Sequence, residues 1–106
     1  MEIYQIENLD CKIKENRRKL AKEVLKAIKL KELPSKEKLE KIATSVGEKY
    51  SVRLQYIKQN HNGFMASLRI GQNSYHILNC NSYYEFLLKW ILIAKVYRDL
   101  RKLKVK

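Results

Sequence analysis

From Phe86 to Tyr97 the chain is apolar nearly all round a helix: Phe86, Leu87, Leu88, Trp90, Ile91, Leu92, Ile93, Val96 and Tyr97, interrupted by Lys89 and Lys95. A helix with no polar side has to be covered from more than one direction. It is also shorter than the ~20 residues a membrane span needs. The chain must therefore supply covering layers, and the rest of the sequence can be read for them. Ser82 and Glu85 precede the run at capping-box spacing, which starts the helix there. Beyond Tyr97 it turns basic, with Arg98, Arg101, Lys102, Lys104 and Lys106.

One covering layer is a predicted helix from Asn8 or Asp10 to about Lys31. Leu9, Ile13, Leu20, Val24, Ala27 and Ile28 fall on one stripe at helical spacing. Arg17 sits beside that stripe, where its stem can pack while its head reaches water. Leu33-Pro34-Ser35 breaks the chain, and Ser35 can cap a short second helix, Lys36 to Val46, that Gly47 is placed to close.

The period then drops to two. Tyr50, Val52, Leu54 and Tyr56 alternate with Ser51, Arg53 and Gln55 in a strand over Tyr50–Lys58, which predicts the first set on the core side. Asn60-His61-Asn62-Gly63 has turn chemistry. Phe64, Ala66, Leu68 and Ile70 alternate in a second strand, and Tyr75–Cys80 makes a third after Gly71-Gln72-Asn73. The fold expected is α+β in the order α-α-β-β-β-α. A three-stranded antiparallel meander packs on the long apolar C-terminal helix and a basic amphipathic N-terminal helix. At 106 residues this is one small basic domain, residues 1–106, with loose ends expected at 1–11 and 104–106.

The formal net charge is +12, from 23 Lys+Arg against 11 Asp+Glu. Most of the surplus sits in residues 12–31 and 95–106. Such a field gathers polyanions. On the first helix Arg18, Lys22, Lys26 and Lys29 form a ladder opposite the apolar stripe, with Lys19 beside them. No Asp or Glu occurs from Tyr50 to Cys80, while Arg53, Gln55, Lys58, Ser67, Arg69 and His76 are expected on the outward side of the strands.

Catalysis fails on inventory. His61 and His76 are the only histidines and stand apart from any cysteine or carboxylate at ligand spacing, so neither a metal nor a cofactor is expected. Asp10 and Asp99 read as a helix cap and an ion-pairing residue. There is no Walker loop, dinucleotide fingerprint or nucleophile elbow. Cys11 and Cys80 read as two reduced thiols of a cytoplasmic protein. Membrane attachment is not expected, because the first helix needs its apolar stripe for the core.

The stretch Ser35–Lys104 shares its α-β-β-β-α order with double-stranded-RNA-binding domains. The lysine pair that contacts phosphates there is replaced by Ser82-Tyr83-Tyr84-Glu85-Phe86, with no lysine until Lys89. The order alone therefore carries no function. The expectation is a small non-catalytic module binding nucleic acid or a nucleoprotein assembly, mainly through phosphate contacts. Its expected contacts are Arg18, Lys19, Lys22, Lys26, Lys29, Arg53, Arg69, Arg98, Arg101 and Lys102. The alternative is an inhibitor or accessory protein of the phage or mobile-element sort. It would dock on an acidic protein through Trp90, Tyr97, Tyr83 and Tyr84, or pair as a homodimer if one chain cannot cover the apolar helix.

Overall fold

The computed structural model describes residues 1–61 and 63–104. Asn62 of the predicted first turn and residues 105–106 of the predicted loose end lie outside these. The elements are α1 (Ile3–Glu7), α2 (Lys14–Ile28), α3 (Lys36–Tyr50), β1 (Val52–Asn60), β2 (Gly63–Ile70), β3 (Ser74–Cys80) and α4 (Tyr83–Lys104). Apart from the added α1, the order is the expected one. The strands form one antiparallel sheet in the order β1-β2-β3. No described helix is long and apolar enough to cross a membrane.

α4 is the axis of the molecule. It packs on α1, α2, α3 and all three strands, and every residue from Glu85 to Ala94 is buried. The chain itself therefore covers the run from Glu85 to Ala94, while Val96 and Tyr97 stay half-buried. Ser82 caps α4, its Oγ accepting the Glu85 N–H at 3.1 Å. The Glu85 carboxylate reaches back to Asn81, not to Ser82 as a capping box requires, accepting from Asn81 N at 3.4 Å and Nδ2 at 3.2 Å.

Inside the core Glu85 meets Lys89, whose side chain is fully buried. Lys89 Nζ donates to the Leu9 carbonyl at 2.9 Å and lies 3.4 Å from Glu85 Oε2. Cys11 and Cys80 are free, buried and flank the same carboxylate. Burial, with Glu85 adding to it, pushes the Cys11 thiol up to about 11. Burial likewise pushes Cys80 up to about 12, with Lys89 opposing and Glu85 reinforcing the rise. Both stay protonated at neutral pH.

Within the first eleven residues the chain makes contacts with the core. α1 docks with Ile6 fully buried, and Glu7 pairs with His76 on β3. His76 thus lies on the core side, opposite Leu68, and not on the outward face expected for it. α2 begins only after Ile13, because Asp10 spends its side chain on the Lys12 N–H at 3.0 Å and caps a turn instead. Arg17 Nη1 ties this loop down by donating to the carbonyls of Cys11 at 2.8 Å and Lys12 at 3.1 Å. α2 ends at Lys29 in left-handed geometry, earlier than the predicted Lys31.

Gly47 does not close its helix. α3 runs on to Tyr50 and stops at Ser51, which takes the left-handed conformation at φ 61°. Gly47 instead lets α3 approach the core. A Cβ there would lie 2.4 Å from the Val52 carbonyl oxygen and 3.0 Å from Trp90. That carbonyl accepts from Trp90 Nε1 at 2.8 Å, so the oxygen has no room to retreat. Gly47→Ala is therefore expected to lower stability by about 1–3 kcal/mol, although alanine is the better helix former. A fall in the urea midpoint with an unchanged slope would show it.

Candidate nucleic-acid interface

The hairpin of β1 and β2 does not keep one register. From Asn60↔Gly63 to Tyr56↔Ser67 the paired residue numbers share one sum, and from Leu54↔Leu68 to Val52↔Ile70 the sum falls by one. Gln55 is the extra residue of a bulge. The bulge sets which side chains share a face. Val52, Leu54 and Ile57 pair with the core-facing Ile70, Leu68 and Ala66, while Arg53 and Tyr56 pair with Arg69 and Ser67. Tyr56, expected toward the core, is consequently on the open face and 48% exposed.

Arg53 and Arg69 stand directly opposite each other, an arrangement that costs stability when nothing neutralises it. Arg69 is held in place: Nε and Nη2 donate to the Gln72 carbonyl at 3.2 and 2.6 Å, and its guanidinium lies 5.9 Å from the Tyr75 ring centre. The β2–β3 turn is fixed by Gly71, at φ 67°, whose N–H donates to the Ser51 carbonyl at 2.8 Å. Gly71 leaves room for the Tyr97 hydroxyl, which a Cβ there would approach at 2.6 Å. Tyr97 carries Arg101 beside it, 5.8 Å from the ring centre. Arg53, Arg69 and Arg101 thereby line one cleft of about 600 Å³ together with Gln55, Gln72 and Tyr97. Among the described residues no acid lines the cleft. Among the described residues none forms an ion pair with these three arginines. Glu48 borders the neighbouring groove with Arg53 without closing one.

The other predicted contacts are distributed elsewhere. Lys26 and Lys29 of α2 border a second groove with Lys95 and Arg98 of α4. Arg98 pairs with Asp99 at 2.8 Å, and its guanidinium lies 5.5 Å from the Tyr50 ring centre, a neighbour that lowers the titration of that phenol below its ordinary value. Arg18 rims a third cleft, of about 620 Å³, with Lys12 and Arg17 above an apolar floor of Cys11, Leu20, Leu33, Tyr84 and Leu88. Lys19 and Lys22 are exposed on α2, as is Lys102 on α4, and none of them lines a described cleft. The ladder on α2 is thus a solvent-facing row, separate from the arginine cleft.

Of the tyrosines and tryptophan expected at an interface, Trp90 is withdrawn from the surface. It is 6% exposed, stacks on Phe86 at 5.6 Å and donates to Val52, so it is a core residue. Tyr83 and Tyr84 latch α4 to α3 and to the loop before it. The Tyr83 hydroxyl donates to Glu40 Oε1 at 2.7 Å, and that of Tyr84 to the Pro34 carbonyl at 2.9 Å. Burial first and the Glu40 contact second push Tyr83 up to about 12. Among the described residues no cluster of three or more His, Cys, Asp or Glu could hold a metal ion. Sequence reasoning missed that Arg53, Arg69 and Arg101 converge and that Gln72 holds Arg69, because the convergence depends on the bulge and on the far end of α4. Compared with family models, curated proteins and solved structures, the chain matches none.

Proposed function

We propose that this chain is a small non-catalytic basic module that binds nucleic acid mainly through its phosphates. The observation that carries the reading is the cleft of Arg53, Arg69 and Arg101, three guanidiniums with no acid among its lining residues. Guanidinium forks match phosphate oxygens in two-point contacts, and a bound polyanion relieves the repulsion that the empty arrangement carries. The exposed ladder of Arg18, Lys22, Lys26 and Lys29 would add contacts without sequence preference. The test is the affinity of the full chain for short oligonucleotides as salt is varied. A steep linear fall of log affinity with log salt supports the reading, and a flat response overturns it.

A second reading is docking on an acidic protein, favoured by the apolar cleft between α2 and α4 that Lys12, Arg17 and Arg18 rim. An acidic amphipathic peptide that bound equally well after Arg53, Arg69 and Arg101 were neutralised, and was lost on Arg18→Glu, would carry it.

A further inference from the structure

The helices pack on one side of the sheet, and the register leaves three cross-strand rows on the other: Arg53-Arg69-Tyr75, Tyr56-Ser67-Ile77 and Lys58-Met65-Asn79. The centre of this face is not polar, as a solvated sheet face would be. Tyr56, Tyr75 and Ile77 are 48%, 62% and 54% exposed, and the small Ser67 between Tyr56 and Ile77 is nearly covered by its taller neighbours. Cations stand at the edges, and the strands contain no acid. An apolar and aromatic floor with a positive rim is complementary to one chemistry in particular, a strand whose bases are unpaired and whose phosphates are free to turn outward. A duplex keeps its bases stacked on one another and can offer this floor only phosphates.

We propose that this face is a stacking platform for single-stranded nucleic acid, with Tyr56 and Tyr75 taking one base each and Arg53, Arg69 and Lys58 taking the phosphates. The two tyrosines lie two strands and one row apart, about 10 Å across the sheet and about 7 Å along it, so one strand running diagonally over the face can meet both. Arg69 lies against the Tyr75 ring and opens into the arginine cleft, so the platform and the cleft form one continuous surface. The proposal rests on the phosphate-binding reading above and adds to it the kind of nucleic acid.

The experiment compares fluorescence-anisotropy titrations of single-stranded DNA, single-stranded RNA and duplex DNA of one length at fixed low salt. It uses the full chain and its Tyr56→Ala, Tyr75→Ala and Tyr75→Leu forms. Each alanine is expected to weaken single-strand binding by about 5- to 100-fold and to leave duplex binding within about twofold. Tyr56→Phe and Tyr75→Phe, which keep the ring, restore the affinity. Tyr75→Leu keeps apolar area without a ring and stays weak, and it serves if an alanine form fails to fold. Equal losses on single strand and duplex, or none on either, overturn the platform and leave the phosphate reading intact. No binding to any of the three by the unaltered chain overturns both. Better binding of RNA than of DNA, or the reverse, identifies the strand that the platform takes.

Discussion

If the cleft is the phosphate site, converting Arg53, Arg69 and Arg101 together to glutamine is expected to lower affinity for an oligonucleotide by about a hundred- to a thousandfold near 0.1 M salt. Each phosphate neutralised releases close to one counterion, which is about a factor of ten in affinity at that salt. The triple substitution should also flatten the salt slope by about 2–3. Lys19→Gln, by contrast, removes a cation that lines no cleft and should cost no more than a few-fold. A second readout separates binding from folding. Arg53 faces Arg69 and makes no ion pair among the described residues, so Arg53→Gln should leave stability unchanged or raise it by a few tenths of a kcal/mol. A residue kept for structure would show the opposite sign. Anisotropy titrations at several salt concentrations, beside urea melts of the same proteins, check both halves. If the triple variant bound with unchanged affinity and slope, the cleft would not be the phosphate site.

Lys89→Leu has the largest expected effect on stability. The ammonium has no exposed surface, donates to the Leu9 carbonyl and faces the Glu85 carboxylate. Removing it strands a buried carboxylate, which costs about 3–5 kcal/mol. A domain of this size has only about 5–15 kcal/mol in all, so the variant should be close to unfolding at 37 °C. The pair itself is a different matter. Glu85→Leu with Lys89→Leu removes both charges, and the double variant should recover more than half of the loss. Asn81 and the Leu9 carbonyl then keep the remainder, having lost their partners. Chemical denaturation of Lys89→Leu, of Glu85→Leu alone and of the double variant closes the cycle. A double variant as unstable as Lys89→Leu alone would show that the lysine acts through Leu9 and not through Glu85.

The parts of this fold legible in the sequence are those carried by local periodicity. The apolar run Phe86–Tyr97 demanded layers on several sides, and α1, α2, α3 and the sheet supply them. The alternation of Phe64, Ala66, Leu68 and Ile70 put those four residues inside. What periodicity could not carry was set by contacts distant in sequence. Five residues of α1 cannot hold a helix alone; Ile6 in the core and Glu7 on His76 hold it. Lys89 looked like an interruption of an apolar run, because its partners are Leu9, eighty residues earlier, and Glu85 on its own helix. Gly47 looked like a helix stop until the Val52 carbonyl and Trp90 closed on it. The candidate site divides the same way. The absence of acids from the strands was plain, but Tyr56 was placed on the wrong side because strict alternation runs through Leu54 and breaks at Gln55.

That break also determines where the chain tolerates a change of length. Delete Gln55, and Leu54 and Tyr56 become neighbours in an unbroken ladder, each still opposite its present partner and still on its present side. Delete Arg53 instead, and Leu54 turns outward while Gln55 turns in. Of the residues between Val52 and Tyr56, Gln55 is the one the hairpin can lose without exchanging its faces. β1 is in this sense a regular strand carrying one inserted residue, and the insertion sits beside the arginines that the proposed binding surface uses.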